Sequence, residues 1–170
     1  QFIYAKPNFN YSDNTLFTSL KSSTTDLLKN SGYKTSEIGF SLGTEYEQFQ
    51  NIFLSPEIDF LIEDLETSDK ASTILKKQEG SYTDLYFNYS INQDLRDKKF
   101  RTESGYVTTF SQELPLMSDN SEFSNAFTIT NYKKLSSTSD MVGKMSFFGK
   151  TITGLSDDVR ISKRLNVPSS

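Results

Sequence analysis

The chain has 170 residues, a formal net charge of -4, 35% hydrophobic and 24% charged residues, and no Cys, His or Trp. Without Cys and His it can build no thiolate zinc site, disulfide, imidazole general base or Ser-His-Asp relay, and a net acidic chain is ill suited to wrapping nucleic acid. A mean hydropathy of -0.53 with no long apolar run excludes a membrane-spanning helix, but not a membrane β-barrel, which needs apolar residues only at every second position.

The 25 Ser, 17 Thr and 23 Phe or Tyr residues lean the chain toward strands. Thr and aromatic side chains suit pleated surfaces, and Ser competes with helical hydrogen bonds. A short stub is predicted around Phe2 to Tyr4, then a strand from about Leu16 to Leu28. From Ile38 the period of two is clear. Ile38, Phe40, Leu42, Thr44 and Tyr46 share one face, whereas Glu37, Gly39, Ser41, Gly43, Glu45 and Glu47 share the other. A helix would scatter those glutamates around its circumference.

The same sorting recurs downstream. Ile52, Leu54, Pro56, Ile58, Phe60 and Ile62 oppose Phe53, Ser55, Glu57, Asp59 and Leu61. Leu85, Phe87, Tyr89 and Ile91 oppose Tyr86, Asn88, Ser90 and Asn92. Tyr106, Thr108, Phe110 and Leu114 oppose Val107, Thr109, Ser111 and Glu113. The segment Phe123 to Tyr132 alternates more weakly, and Met141, Met145 and Phe147 oppose Val142, Lys144, Ser146 and Phe148. Asn30-Ser31-Gly32 and Gln50-Asn51 are turn signals, Asp97 to Gly105 and Ser136 to Asp140 are polar connections, and Ala71 to Lys77 suits one helical turn. Such short separators imply antiparallel neighbours, hence an all-β meander of seven strands plus an edge stub. The chain starts at Gln1 and stops at Pro168-Ser169-Ser170 in what reads as mid-loop, so a piece of a larger protein is expected.

Two architectures share this pattern. In a barrel wall, Phe40, Leu42, Ile58, Phe60, Leu85, Phe87, Phe110 and Ile129 meet lipid on the convex side. Glu45, Glu57, Asp59, Asn88, Ser111 and Glu113 then face a wet lumen. In a soluble sandwich the apolar face packs on a second sheet instead.

Particular words narrow the choice. They are Gly32-Tyr33-Lys34-Thr35, Gly39-Phe40-Ser41-Leu42-Gly43-Thr44-Glu45-Tyr46 and Phe53-Leu54-Ser55-Pro56, followed by Leu75-Lys76-Lys77-Gln78-Glu79-Gly80-Ser81-Tyr82. Asp97 to Tyr106, Phe110 to Leu116, Met141-Val142-Gly143-Lys144, Gly154-Leu155 and Asp158 to Leu165 continue the series. In this order they resemble the barrel of the BamA-type outer-membrane assembly factors (bacterial surface antigen family), particularly the alphaproteobacterial type, over nearly the whole chain. The resemblance implies an antiparallel transmembrane β-barrel, here an open partial barrel of about seven to eight strands spanning residues 1–170. It places the chain in the middle of the barrel wall, ending at the entrance to the long sixth extracellular loop, in the bacterial outer membrane. It further implies non-enzymatic folding and insertion of β-barrel proteins, without cofactor or ATP. The implied partners are outer-membrane lipids, unfolded outer-membrane protein clients and assembly lipoproteins, with no nucleic acid. Asn166 departs from the family, which usually has an aromatic or long apolar residue there. A related two-partner secretion transporter is the runner-up reading, ahead of a soluble β-sandwich adhesin or carbohydrate-binding module.

No catalytic, cofactor-binding or metal residue is assigned. Glu45 and Glu47, with Glu37, are spaced like a glycosidase carboxylate pair but read as ordinary lumen or surface carboxylates. Asp94, Arg96 and Asp97 read as a turn-fixing ion pair. Asp157-Asp158 with Asp140 lacks the glycine-centred loop of a calcium site. Lys76-Lys77 and Lys163-Arg164 read as solvated basic loops, with anionic lipopolysaccharide as the alternative partner. Tyr46, Phe49, Tyr89, Tyr106 and Tyr132 suit interfacial aromatic girdles.

Overall fold

The computed structural model describes residues 1–119, 121–136, 138, 140–155 and 158–164. The strands are β1 (Phe2–Lys6), β2 (Thr15–Leu27), β3 (Tyr33–Phe49), β4 (Ile52–Thr67), β5 (Gly80–Asp94), β6 (Gly105–Ser118), β7 (Glu122–Lys134) and β8 (Val142–Gly154). They form one sheet in sequence order, every neighbouring pair antiparallel, with β1 and β8 as unjoined edges. This is an open partial barrel, and among the described residues no second sheet packs against it. The sandwich alternative therefore has no counterpart. The helical turn expected between β4 and β5 is Thr73–Lys76, opened by the Ser72 hydroxyl accepting the Leu75 N–H at 3.3 Å.

Turn chemistry sets the register. Gly32 supplies φ +80° after β2, and Asn51 supplies φ +61° in the two-residue reversal between β3 and β4. The strands run longer than their alternation alone suggested. A strand of 13 residues, such as β7, extends ~43 Å at about 3.3 Å per residue, so it overhangs an apolar band of about 25 Å even when tilted near 40°.

Two prolines sit where the ladder can spare them. Direct β3–β4 pairing lapses between Gly43↔Glu57 and Tyr46↔Leu54, and Pro56, which has no N–H to donate, lies in that gap. On β6 the register slips by one residue between Tyr86↔Pro115 and Leu85↔Met117, leaving Leu116 as the extra residue of a bulge. Beyond the bulge, Ser118 reaches the face that holds Asp84 and donates its hydroxyl to Asp84 Oδ1 at 2.6 Å.

The two faces separate as expected. Ile38, Phe40, Leu42, Ile58, Phe60, Ile62, Ile91 and Phe127 are exposed together on the apolar face. The polar face is concave, since side chains of β2, β3, β4 and β6 line one cavity of about 240 Å³. Its buried apolar residues are Tyr33, Leu61, Leu65 and Tyr86. One polar row crosses the apolar face: Tyr89 Oη donates to Gln112 Oε1 at 2.9 Å, Gln112 Nε2 to Asn125 Oδ1 at 2.5 Å, and Asn125 Nδ2 to Thr151 Oγ1 at 3.4 Å. Tyr89 thus belongs to a mid-strand ladder rather than to an end girdle. Tyr132 shares a face with Thr130 and Thr128, and Lys144 lies 5.9 Å over its ring, so it too falls outside a girdle.

Gly43 is a packing requirement on the concave side. A Cβ there would stand 2.6 Å or closer to the Phe17 ring and 2.9 Å from the Pro56 carbonyl oxygen. Gly43→Ala is expected to lose about 1–3 kcal/mol, as overpacking of a filled site does. Combining it with Phe17→Ala should recover part of that loss. Urea unfolding of the folded protein in lipid vesicles, run as a double-mutant cycle, measures both.

Candidate functional site

Residues 158–164 return across the concave face at the rim where β3, β5 and β7 begin and β4 and β6 end. Lys163 N–H and Arg164 N–H both donate to the Arg160 carbonyl, at 3.0 and 3.1 Å, closing a turn that drives Arg160 inward. Its side chain is 0% exposed. Three strands supply the carboxylates that surround it: Glu63 from β4, Asp84 from β5 and Glu122 from β7.

Nη2 of Arg160 donates to Asp84 Oδ2 and, at 3.4 and 3.5 Å, to Glu122 Oε1 and the Tyr86 hydroxyl. Nη1 stands 3.8 Å from Glu63 Oε1, and the guanidinium lies 4.5 Å over the Tyr82 ring. The surrounding groups are themselves held. Tyr86 Oη donates to Glu122 Oε1 at 2.7 Å, Ser162 Oγ to Glu63 Oε1 at 2.7 Å, and Ile161 N–H to Gln78 Oε1 at 3.0 Å. Burial alone would drive Arg160 toward its neutral form. The Asp84 hydrogen bond and the charges of Asp84, Glu122 and Glu63 outweigh that and raise its pKa above the ordinary arginine value. The arrangement fixes a segment in place: it offers a cation caged by anions drawn from three strands.

Sequence reading passed over Arg160. A lone arginine in a polar stretch carries no signal of burial, and its partners lie 38 to 97 positions away along the chain. The missed clue was Pro115, whose bulge re-aims Ser118 onto Asp84. Lys163 is a correction: it is not a solvated loop cation, since its Nζ sits 5.3 Å over the Tyr86 ring. Arg164 turns back on its own segment, Nε donating to the Val159 carbonyl at 2.8 Å.

The other sequence candidates stay apart. Glu45 accepts from Ser55 Oγ at 3.2 Å, Glu47 accepts the Asn51 N–H at 2.6 Å and caps the turn, and Glu37 pairs with Lys21. Each has its own partner, so no carboxylate pair forms. Asp157 lies outside the described residues, and among those described no group of three His, Cys, Asp or Glu could hold a metal ion.

At the opposite rim, Arg96 clasps Asp94 through Nε and Nη2 at 2.8 and 2.7 Å, the turn-fixing pair expected there. Asp97 Oδ1 accepts the N–H groups of Glu103 and Ser104 at 3.0 and 3.1 Å. Glu103 holds Lys98 at 3.1 Å and Lys134 at 2.8 Å.

A family model of the Omp85 superfamily domain matches residues 1–167. The chain belongs to the Omp85 superfamily. No curated protein matches it. The superfamily, which includes the assembly factors resembled in sequence, is typically one of outer-membrane proteins, and its members are generally non-catalytic scaffolds. An ion cage built to position a segment fits an Omp85 domain of that kind.

Arg160→Ala leaves three carboxylates buried without their cation and should cost about 3–5 kcal/mol in vesicle unfolding. Tyr86→Phe, which removes one hydroxyl from Glu122, should cost about 1–3 kcal/mol. At the far rim, the Lys134 and Lys98 hydrogen bonds hold Glu103 below its ordinary value, and the Ser104 N–H does the same for Asp97. A depressed folded pKa contributes stability above the unfolded value, about pH 4, and loses it as pH falls through the folded one. A nitroxide at Lys99→Cys should therefore stay immobile at neutral pH and gain mobility below about pH 4.

Proposed function

We propose that this chain, across residues 1–170, forms part of the wall of an outer-membrane barrel in an assembly factor of the BamA type, which folds and inserts β-barrel proteins. The observation that carries the reading is the division of one curved sheet into an exposed apolar convex face and a polar concave face, within an Omp85 domain. In a bilayer the convex face meets outer-membrane lipid. The concave face lines a wet lumen, where charged side chains keep their hydration. The sequence resemblance orients the wall, with the rim bearing residues 158–164 extracellular and the 95–104 connection periplasmic. The proposed partners are unfolded outer-membrane clients and, through the remainder of the assembly factor, its lipoproteins. The work is conformational, and no bond is made or broken by this segment.

Two variant classes test the reading in the protein that carries this chain, reconstituted in liposomes. Glu45→Gln, Glu57→Gln and Glu113→Gln should each leave client insertion within a few-fold of the parent. Phe60→Arg and Phe87→Arg should impair heat-modifiable folding, at a cost of about 2–4 kcal/mol at mid-membrane. A Gln variant that folds normally but fails to insert clients would overturn the wall role for that residue. An Arg variant that folds as well as the parent would show that its face does not meet lipid.

A further inference from the structure

The concave face carries a row of side chains that neither the wall nor the Arg160 cage uses. Strand register sets Phe17, Gly43, Glu57, Asn88, Glu113 and Ser124 side by side on β2 to β7, at right angles to the strands. All but Gly43 line one cavity of about 430 Å³. The Phe17 ring lies over Gly43, whose neighbour in the row is Glu57.

The row is rich in acceptors and short of donors. Among the described residues, neither Glu57 nor Glu113 has a hydrogen-bond or ion-pair partner. Asn88 Oδ1 is buried and accepts no hydrogen bond. Ser124 is only 8% exposed and lines the same cavity, and among the described residues its hydroxyl has no partner. The cations nearby are mostly committed. Lys21 pairs with Glu37, and Lys163 lies over Tyr86. Lys150 lines the cavity from β8, where Glu45, held by Ser55, adds a third carboxylate, and the charge of Asp59 acts close by. The cavity therefore stays negative, with its two free carboxylates on either side of a free amide oxygen.

We propose that this row binds an aliphatic diamine or polyamine, one ammonium held by Glu57 and the Phe17 ring, the next by Glu113 and Ser124, with Asn88 Oδ1 accepting from between them. Spacing selects the ligand. Adjacent strands lie about 4.8 Å apart, so Glu57 and Glu113, two strands apart, are separated by roughly 10 Å at Cα. A metal ion needs its oxygens gathered around one point, and among the described residues no three acidic groups are so gathered. An extended peptide seated along the strands would cross the row once and meet one carboxylate. A short flexible chain with a charge at each end meets both, and the cavity has the volume of a small-molecule site. The site needs only the concave face and its register, so it stands apart from the assembly reading.

The test is equilibrium dialysis of labelled cadaverine against the protein that carries this chain, folded in detergent micelles. Cadaverine should bind at least about fivefold more tightly than pentylamine at equal ionic strength. Rising salt should weaken the binding. Glu57→Gln and Glu113→Gln should each bring cadaverine down to the level of pentylamine. Glu66→Gln removes the same charge from the other face of the sheet and should leave the preference intact. Heat-modifiable migration shows which variants are folded, and the comparison of the two amines on the parent protein needs no variant at all. Equal binding of the two amines, a preference that persists in both folded Gln variants, or an equal loss in Glu66→Gln would each overturn the site. Displacement of cadaverine by magnesium chloride beyond that by sodium chloride at equal ionic strength would overturn it in favour of a metal site.

Discussion

Every strand in this sheet is bound by one constraint: a backbone N–H or C=O facing hydrocarbon must be bonded to a neighbouring strand, because no water is there to satisfy it. The seven consecutive antiparallel pairings answer that requirement across the wall. The constraint also dictates where exceptions fall. Pro56 occupies a lapse in the β3–β4 ladder, and Pro115 adjoins the β6 bulge, so neither removes a donor from continuous pairing. The bulge then does a second job by turning Ser118 toward Asp84, which links a backbone irregularity to the ion cage around Arg160.

The cage follows a different logic from the wall. Apolar packing contributes little to the concave face, whose buried apolar residues are only Tyr33, Leu61, Leu65 and Tyr86 among those described. Residues 158–164 are therefore held mainly by charge and hydrogen bonds. A buried ion pair is a poor source of net stability, since desolvation of the guanidinium and three carboxylates offsets most of their attraction. What it provides is position. Glu63, Asp84 and Glu122 come from three different strands, so only one placement of Arg160 satisfies them together. A greasy side chain at position 160 would tolerate many placements, and it would find few apolar neighbours beyond Tyr82 and Tyr86.

This division explains what was legible in the sequence. Strand identity, order and facing could be read because a period of two is a local signal, repeated between turns such as Asn30-Ser31-Gly32 and Gln50-Asn51. Strand length was less legible: β3 begins at Tyr33, five residues before the clear alternation from Ile38. Its first turn carries Lys34, Ser36 and Glu37, which blur the pattern where the strand passes beyond the apolar band. The cage was illegible because its members are ordinary polar residues whose meeting depends on strand register, one bulge and a returning segment. The same blindness placed Lys163 in solvent, although Tyr86 lies beneath it.

The polar row on the apolar face shows how far register can substitute for hydrophobicity. Gln112 and Asn125 sit among Phe87, Phe110 and Phe127, and an isolated amide in hydrocarbon would cost several kcal/mol. Here the antiparallel register sets Tyr89, Gln112, Asn125 and Thr151 side by side on four adjacent strands, and each side chain bonds the next. Moving any one of these strands by a single residue would turn its member of the row to the concave side and strand the others. Two residues of slip would keep the face but break the chain of hydrogen bonds. The row therefore penalises misregister in β5 to β8 more strongly than a fully apolar face could, because Phe and Ile side chains pack with many neighbours whereas an unbonded amide does not. The Arg160 cage depends on that same register, since Asp84 and Glu122 reach it only when β5, β6 and β7 are aligned as the row requires.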